Sequence, residues 1–442
     1  MDDRPQTRQQ LRAWLDSHVN LERMVGVPSG STRRMAPEPL SRMEKLVELL
    51  GSPQLQYPAI HITGTNGKTS AARITTSLLV AAGLSVGTDT SPYLERFNER
   101  IAWNGGPIPD DELDRILASI ADVELLLDDR PSYFEIINAA ALEWFADIAV
   151  DVAVIEVGLG GAWDSTNVVD GRIAVVTNVE LDHVEYLGPT KAGIAEEKAG
   201  IVKPGATLVL GETDPELVAI FVARDAARVL IRDHDFGVRT NDVAVGGRLV
   251  EIFTPYATYS DVFLPLHGAH QADNAAVALT AAECFLDRAL GNYVVDAAFA
   301  SVQSPGRLEV VARNPLVLID GTKNIAGARA VHAALAEEFP HARRTWVVGV
   351  LRQKDAREML EALGVATDDV VVACRAELPR ARDPREIADA ARDLGVVSNR
   401  VHVVDDVGAA VDLAIEVSPP DGQVVIAGSL YVAGPARAHL VH

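Results

Sequence analysis

The chain has 442 residues, a length that suggests two or three domains rather than one core. Hydrophobic residues make up 48% and charged residues 23%, which is the balance of a globular protein with enough apolar material for buried cores. The formal net charge of −22 disfavours binding to nucleic-acid backbones and to anionic membrane surfaces, because like charges repel. An anionic ligand would therefore need a local site of donors and cations.

The two cysteines, Cys284 and Cys374, lie far apart and show no metal-type spacing. A disulfide framework and a structural zinc site are therefore not expected. The N-terminus is polar, and no apolar run approaches the length of a membrane span. The sequence thus predicts no signal peptide and a cytoplasmic location.

The first sixty residues are predicted to be helical with breaks, with helices over residues 9–21 and 40–50. From residue 59 the pattern changes to short apolar runs that alternate with helical segments, the first of them over residues 68–82. Near-continuous apolar runs predict strands buried on both faces of a parallel sheet, and they lie at residues 59–62, 152–155 and 173–176.

Alternation around residues 230–265 predicts further β structure, and a second α/β series begins after residue 304. The strands predicted in this second series are residues 316–319, 345–350, 370–373, 401–404 and 423–426. Helical segments such as residues 328–338 separate them. The sequence therefore predicts two α/β domains, residues 1–303 and the smaller segment 304–442.

A glycine-rich stretch joins the first predicted strand to the next helix, and it reads Gly64-Thr65-Asn66-Gly67-Lys68-Thr69. In a Walker A loop, G-x-x-x-x-G-K-[ST], backbone N–H groups at a helix N-terminus hold phosphate oxygens. Gly67 and Lys68 fit this pattern, but Ile62 stands at the leading glycine position. The alternative is an ordinary glycine turn with a solvated lysine. The strand before it and the lysine at the helix start favour a phosphate-binding loop.

Three further polar residues could belong to a site. Glu156 ends a predicted strand, where α/β sheets bind ligands and where a carboxylate could hold Mg²⁺. A solvated loop residue is the alternative. His183 could equally be a surface or core histidine, and Lys198 a helix-surface lysine paired with carboxylates. The sequence around His183 and Lys198 does not by itself identify either of them as a site residue.

These pieces occur with other motifs in one order along the chain. The motifs are Thr63-Gly64-Thr65-Asn66-Gly67-Lys68-Thr69, Thr90-Ser91-Pro92, Phe97-Asn98-Glu99-Arg100-Ile101, Glu156-Val157-Gly158-Leu159-Gly160-Gly161, Asp164-Ser165-Thr166-Asn167-Val168-Val169, Leu181-Asp182-His183, Glu197-Lys198-Ala199-Gly200-Ile201, His270-Gln271 with Asn274-Ala275-Ala276, and Ser304-Pro305-Gly306-Arg307-Leu308-Glu309. Together they resemble folylpolyglutamate synthase and dihydrofolate synthase, which belong to the Mur ligase superfamily. The resemblance runs from about residue 40 to residue 433.

The resemblance implies an α/β fold with an N-terminal P-loop ATPase domain of the Mur ligase type, including folate-side N-terminal helices. A smaller, Rossmann-like α/β domain would follow it. ATP would phosphorylate a carboxylate of dihydropteroate or folylpolyglutamate, and the amine of L-glutamate would then attack the acyl phosphate. Such a reaction needs cations and fixed donors around the transferred phosphoryl group rather than a covalent nucleophile.

The resemblance also implies roles for single residues. ATP would be bound by Gly64, Thr65, Asn66, Gly67, Lys68, Thr69, Gln271, Asn274, Arg307 and Asp320. Ser91 and Glu156 would hold one Mg²⁺, and His183 and Glu156 would lie near a second, with Lys198 carbamylated so that it supplies anionic oxygen ligands. The catalytic residues would be Lys68, His183, Lys198, Arg307 and Lys323.

Some positions depart from the family pattern. Lys323 stands where the family usually has a histidine near the incoming glutamate, and lysine is a point charge of different reach. Tyr93 replaces a usual histidine, and Ala162 replaces a common arginine. These changes cluster on the side of the acid and the amine. We expect the substrates to be bound by Tyr93, Ala162, Asp164, Lys323 and Ser429.

Three functions remain open at this point. The first is a dihydrofolate or folylpolyglutamate synthase that acts as a monomer on small molecules. The second is a Mur-type amide ligase for a different carboxylate or amino acid. The third is a nucleotide-binding paralogue without catalysis, which the retention of Glu156, His183 and Lys198 disfavours.

Overall fold

The structure is a computed structural model that describes residue 5 and residues 7–20, 40–340 and 343–441. Two helices precede the first strand, α1 (Arg8–Asp16) and α2 (Leu40–Leu49). The helix predicted over residues 9–21 is shorter, because the Ser17 hydroxyl donates to a carbonyl of the last turn and the helix ends there. Residue 21 lies outside the described residues.

The first sheet has eight strands in the order β4-β3-β2-β5-β1-β6-β7-β8. Its strands are β1 (Ala59–Thr63), β2 (Val86–Asp89), β3 (Ile101–Trp103), β4 (Gly106–Pro107), β5 (Val152–Glu156), β6 (Gly171–Val176), β7 (Thr207–Leu210) and β8 (Arg228–Ile231). The intervening helices are α3 (Lys68–Ala81), α4 (Asp110–Glu124), α5 (Tyr133–Asp147), α6 (Val184–Leu187), α7 (Lys191–Lys198) and α8 (Pro215–Val222).

Neighbouring strands of this sheet pair in parallel, except that β3 pairs antiparallel with both β2 and β4. All residues of β1 and β5 are buried, which is why these strands read as apolar runs without alternation. Because β1 pairs with β5 on one side and β6 on the other, the carboxyl ends of these three strands lie side by side. This edge is where open α/β sheets bind ligands.

A smaller antiparallel sheet and two helices follow. The sheet consists of β9 (Gly237–Ala244), β10 (Gly247–Phe253) and β11 (Thr258–Leu264), and the helices are α9 (His270–Leu286) and α10 (Asn292–Ser301). The β structure predicted around residues 230–265 is this sheet together with β8. Residues of α3, α9 and α10 form one apolar core against the first sheet, and α4 and α5 form another on its opposite face.

The third sheet has six strands in the order β12-β13-β17-β14-β15-β16, parallel except for β12. Its strands are β12 (Glu309–Arg313), β13 (Leu316–Ile319), β14 (Arg344–Val348), β15 (Val370–Ala373), β16 (Val401–Val403) and β17 (Gln423–Ala427). Its helices are α11 (Ile325–Glu338), α12 (Ala356–Leu363), α13 (Pro384–Asp393), α14 (Val407–Val417) and α15 (Leu430–Val441). The five strands predicted from apolar runs are all present, and apolar cores cover both faces.

The parallel α/β fold expected from the sequence is confirmed, and the boundary at residues 303 and 304 stays a prediction. Polar contacts join the first and third sheets near their carboxyl edges, among them Asn324 Nδ2 to Asn66 Oδ1 at 3.0 Å. A second pair, Arg437 Nη1 and Glu95 Oε1, is 2.6 Å apart. Within the described part of the chain, no helix is long and apolar enough to cross a membrane.

Candidate active site

The turn between β1 and α3 has the backbone of a phosphate-binding loop. Gly67 is the N-cap of α3 with φ +83°, and Gly64 has φ +150°. A Cβ atom on Gly64 would lie 1.8 Å from Thr177 Oγ1, so only glycine fits there. Ile62, which stands at the leading glycine position of the Walker A pattern, is a buried residue of β1 and not part of the turn. A glycine is therefore not needed there.

Contacts with the end of β6 fix this loop. The Thr65 amide donates to the Asn178 carbonyl and the Asn66 amide donates to Asn178 Oδ1, both at 3.0 Å. The Lys68 ammonium donates to the Gly64 carbonyl at 3.0 Å. The amides at the start of α3 have no acceptor within the helix, so the loop presents donors and a lysine at a helix N-terminus. The alternative of an ordinary turn with a solvated lysine does not fit this arrangement.

A cavity of about 330 Å³ extends from the loop, and we call it the nucleotide cavity. The predicted nucleotide residues that line it are Thr65, Asn66, Gly67, Lys68, Thr69, Gln271, Asn274, Arg307 and Asp320. Gly64 lies behind the loop, where its carbonyl accepts from two lysines. Arg232 also lines this cavity, at 2.9 Å from Asp273, and was not predicted. Lysine and arginine side chains thus line a cavity of a chain whose net charge is −22, together with carboxylates such as Glu156 and Asp320.

Glu156 lies at the mouth of this cavity with 2% of its surface exposed, so the alternative of a solvated loop residue is wrong. It accepts from the Thr69 hydroxyl at 3.0 Å and from the Ser91 amide at 3.2 Å. Burial raises the pKa of the Glu156 carboxyl, and Lys68 opposes this shift. A buried carboxylate beside two hydroxyl residues fits Mg²⁺, which takes few protein oxygens together with phosphate oxygens and water. No group of three or more His, Cys, Asp and Glu side chains in the described ranges could hold a metal alone.

Lys198 is buried at the end of α7, and its ammonium donates to the Gly64 carbonyl at 2.9 Å. The alternative of a helix-surface lysine is therefore wrong. Burial, together with the charge of Lys68, lowers the pKa of Lys198 well below its usual value. Lys198, which donates to the backbone of the phosphate loop, is thus a lysine that loses its proton easily.

His183 is the N-cap of the short helix α6 and has φ +49°. Its Nε2 atom lies 3.3 Å from the Lys323 ammonium. Desolvation and then the charge of Lys323 lower the pKa of His183 to about 3, so the imidazole is neutral at neutral pH. His183 and Lys198 line a small third cavity with Lys323, whereas Ser91 and Glu156 line the nucleotide cavity. Ser91 and His183 also lie together in the wall of a further cavity, which is described below.

Asp182 connects this region to the third sheet, a role that the sequence did not indicate. Its carboxylate accepts from Lys354 at 2.6 Å and from Asn324 at 3.0 Å. Burial would raise the pKa of Asp182, but His183 and the two lysines around it lower the pKa strongly. Lys354 and Asn324 follow strands of the third sheet, so their place at the end of apolar runs was the available signal.

A second cavity of about 210 Å³, which we call the acceptor cavity, lies on the other side of the loop. Aromatic side chains form much of its wall, and these are Phe134, Trp163, Tyr186 and Tyr431. Its polar wall includes Ser429, Lys354 and Arg380. The Nε atom of Arg380 is buried and has no hydrogen-bond partner. Lys68, Ser91 and Lys323 line both large cavities, so the two spaces meet at these residues.

Some of the predicted substrate residues line the acceptor cavity and others do not. Asp164 and Ser429 line the acceptor cavity, but the Asp164 carboxylate accepts from Thr166 and Leu159 and so holds its own loop. Ala162 is exposed and does not line this cavity, because its Cβ turns toward Gly200. Tyr93 also does not line it, because its ring packs against Phe97 and Arg100. These positions do not support a substrate contact for Ala162 or Tyr93.

Comparisons with known proteins identify the same family as the motifs do. Residues 114–282 match the Mur ligase middle domain, and residues 306–430 match the Mur ligase, glutamate ligase domain. The chain is 40% identical to the dihydrofolate synthase/folylpolyglutamate synthase of Mycobacterium tuberculosis, over 90% of this chain and 89% of that protein. It is 34% identical to the protein of the same name from Bacillus subtilis, over 98% and 99% of the two chains.

Solved structures agree. The folylpolyglutamate synthase of Mycobacterium tuberculosis complexed with ADP matches with a TM-score of 0.89 and 37% identity, over 98% of each chain. An FPGS–AMPPCP–folate complex matches with a TM-score of 0.81 and 32% identity, over 99% of this chain and 100% of that chain. This chain therefore belongs to the dihydrofolate synthase/folylpolyglutamate synthase family, and it is an ATP-dependent ligase that forms carbon–nitrogen bonds.

Proposed function

We propose that this ligase joins L-glutamate to dihydropteroate, to folylpolyglutamate, or to both, through an acyl phosphate. The observation that carries this proposal is the meeting of the nucleotide and acceptor cavities at Lys68, Ser91 and Lys323. A γ-phosphate held at the start of α3 would face a carboxylate that enters from the acceptor cavity. In-line transfer requires such a juxtaposition of donor and acceptor.

The reaction has two steps. A carboxylate oxygen of the acceptor attacks the γ-phosphorus, and the bond to the leaving ADP breaks. The amine nitrogen of glutamate then attacks the acyl carbon, inorganic phosphate leaves, and the amine gives up a proton to solvent. Lys68 lines both cavities, so its ammonium can contact the phosphoryl group before and after transfer.

A Mg²⁺ ion held by Glu156 and the hydroxyls of Thr69 and Ser91 would neutralise charge on the phosphoryl group. We further propose that Lys198 carries a carbamate. Only a neutral amine attacks carbon dioxide, and the lowered pKa of Lys198 favours that form. Loss of the ammonium would also relieve the repulsion between Lys198 and Lys68.

The amino acid would be held by the third sheet. Arg380 offers a buried Nε donor without a partner, and Lys354 lies at the same wall. A guanidinium binds a carboxylate through two parallel hydrogen bonds, which suits an amino acid with two carboxyl groups. The family resemblance implies that the chain acts as a monomer.

A ligase for a different acid or amine is the second candidate. It is favoured by Lys323, which stands at the junction of the cavities in place of the usual histidine. Lysine adds a cation where the acyl phosphate and amine meet, and this could suit a different pair of substrates.

The test is phosphate release by purified protein with Mg-ATP, glutamate and either dihydropteroate or tetrahydrofolate. We expect release only when all components are present, with a product that contains one more glutamate by mass. Absence of glutamate-dependent turnover with both pterins would overturn the folate proposal. Release with another acid or amine would support the second candidate.

A further inference from the structure

The space beside His183 and Lys198 is small, and more basic than acidic side chains line it. It has a volume of about 20 Å³, enough for about one water molecule. The residues that line it include Lys68, Lys198, Lys323 and His183. Asp182 is a carboxylate at this wall, and Glu156 lines the nucleotide cavity instead.

Asp182 is already occupied by partners from the third sheet. Lys354 lies 2.6 Å from one carboxylate oxygen, and Asn324 donates to the other at 3.0 Å. Several lysines therefore surround Asp182, and it is the single carboxylate among them. A divalent cation placed here would lie beside the Lys68 and Lys323 ammoniums, and the one further anion, the proposed carbamate on Lys198, would already be paired with Lys323.

Lys323 is the residue that blocks His183 as a metal ligand. Its ammonium lies 3.3 Å from the Nε2 atom of His183. A lone pair that accepts a proton from an ammonium is not available to a metal ion. His183, which the resemblance implies lies near a second Mg²⁺, thus does not fit as a ligand of that ion in this chain.

We propose that this chain binds one Mg²⁺ per nucleotide, at Glu156, and that the Lys323 ammonium occupies the place of the second Mg²⁺ that the family resemblance implies. The inference rests on the proposed nucleotide site but not on the identity of the acid or the amine. A carbamate on Lys198 would then be an ion-pair partner for Lys323 and not a metal ligand. The cationic charge beside the phosphoryl group would be supplied by the protein itself.

The test counts bound Mn²⁺, a paramagnetic stand-in for Mg²⁺. Free Mn²⁺ is measured by electron paramagnetic resonance during titration of the full chain with a non-hydrolysable ATP analogue in bicarbonate buffer. We expect one Mn²⁺ per wild-type chain and two per chain in Lys323→His and in Lys323→Ala, where the His183 lone pair is released. Lys45→His, at an exposed lysine paired with Glu48, serves as the matched control and should bind one.

Two bound Mn²⁺ in the wild type would overturn the inference and leave the ligase function intact. One Mn²⁺ in both Lys323 variants would also overturn it, because Lys323 would then not be what excludes the second ion. Cooperative thermal unfolding of each variant shows that it is folded. A wild type that binds nucleotide without any Mn²⁺ would instead refute the Mg²⁺ site at Glu156, and phosphate release with pterin and glutamate distinguishes this from loss of function.

Discussion

The nucleotide cavity and the acceptor cavity share a wall but are built differently. On the nucleotide side the phosphate loop presents backbone donors and is held by Asn178 and Thr177, and side chains of α9 and of the third sheet line much of the rest. The acceptor side combines side chains from distant segments of both large sheets, including Trp163, Lys354 and Arg380. Backbone donors tolerate few changes, whereas a wall of side chains can be altered one residue at a time. Of the three departures from the family pattern, only Lys323 lines the acceptor cavity, and it lines the nucleotide cavity as well.

The largest effect is expected at Lys198, which lies behind the phosphate loop. Lys198→Ala removes the proposed carbamate and the contact to the Gly64 carbonyl. We expect the rate of phosphate release to fall by about 10²–10³-fold, the loss typical of a preorganised electrostatic group. Thermal unfolding should remain cooperative. Lys191→Ala, on the same helix but exposed and paired with Glu180, is the control. Near wild-type turnover in Lys198→Ala would remove this residue from the mechanism.

The backbone nature of the nucleotide side can be tested with two glycines. A Cβ on Gly67 would lie 2.3 Å from Asn274 Oδ1, at φ +83°. Gly83 has a similar φ of +94° but open space around the same position. Gly67→Ala should weaken ADP binding by about 100-fold, because two hydrogen bonds to a phosphate are worth about 3 kcal/mol. Calorimetry would measure this.

Gly83→Ala carries the same backbone strain and should keep wild-type affinity for ADP. Equal losses of affinity in the two variants would mean that strain alone, and not the geometry of the loop, accounts for the effect.

The acceptor side should respond differently. Arg380→Gln removes a guanidinium with a buried, unpartnered Nε atom. We expect the KM for the amino acid to rise by about tenfold or more, since a hydrogen bond to a charged group contributes about 1.5–3 kcal/mol. Affinity for ADP should stay unchanged. Arg375→Gln, at a half-exposed arginine paired with Asp405, is the matched variant. A change in ADP affinity without a change in KM would show that Arg380 acts on nucleotide binding and not on binding of the amino acid.

A smaller effect is expected at the junction. Lys323→His restores the family's usual residue beside His183. If glutamate is the natural amine, the KM for glutamate should fall by a few-fold. Steady-state kinetics at saturating ATP would measure it. An unchanged or higher KM would indicate that lysine is fitted to a different amine donor.

The last prediction concerns stability rather than turnover at neutral pH. His61 is buried in β1, and its Nε2 atom lies 2.9 Å from Thr166 Oγ1, whose own proton goes to Asp164. Burial lowers the pKa of His61 to about 3, against about 6.5 in the unfolded chain. Between these values only the unfolded chain binds the proton, so the free energy of unfolding falls as the pH falls, by about 1.4 kcal/mol per pH unit for this group.

The control is His61→Gln, which can still donate to Thr166. Urea unfolding of both proteins at pH 7 and pH 5 should show a steeper loss in the wild type. Parallel losses would mean that His61 does not stay neutral in the folded protein.

The strands and the phosphate loop could be predicted from the sequence because their signals are local. Apolar runs such as residues 152–155 and 370–373 are strands in the structure, since burial on both faces of a parallel sheet leaves that pattern. The glycine loop is contiguous, so its residues together with the strand before it and the helix after it indicate phosphate binding. Single residues such as His183 and Lys198 carried no such signal and were identified only through the family resemblance.

The sequence by itself thus determined the two α/β series and the nucleotide loop, because hydrophobic periodicity and turn chemistry act over a few residues. Only the tertiary structure decided that Lys323 meets His183 across 140 residues of chain and that Lys354 meets Asp182 across 172. It also turned Ala162 and Tyr93 away from the acceptor cavity. Such contacts depend on how the carboxyl edges of two sheets approach each other, and no local pattern encodes that distance.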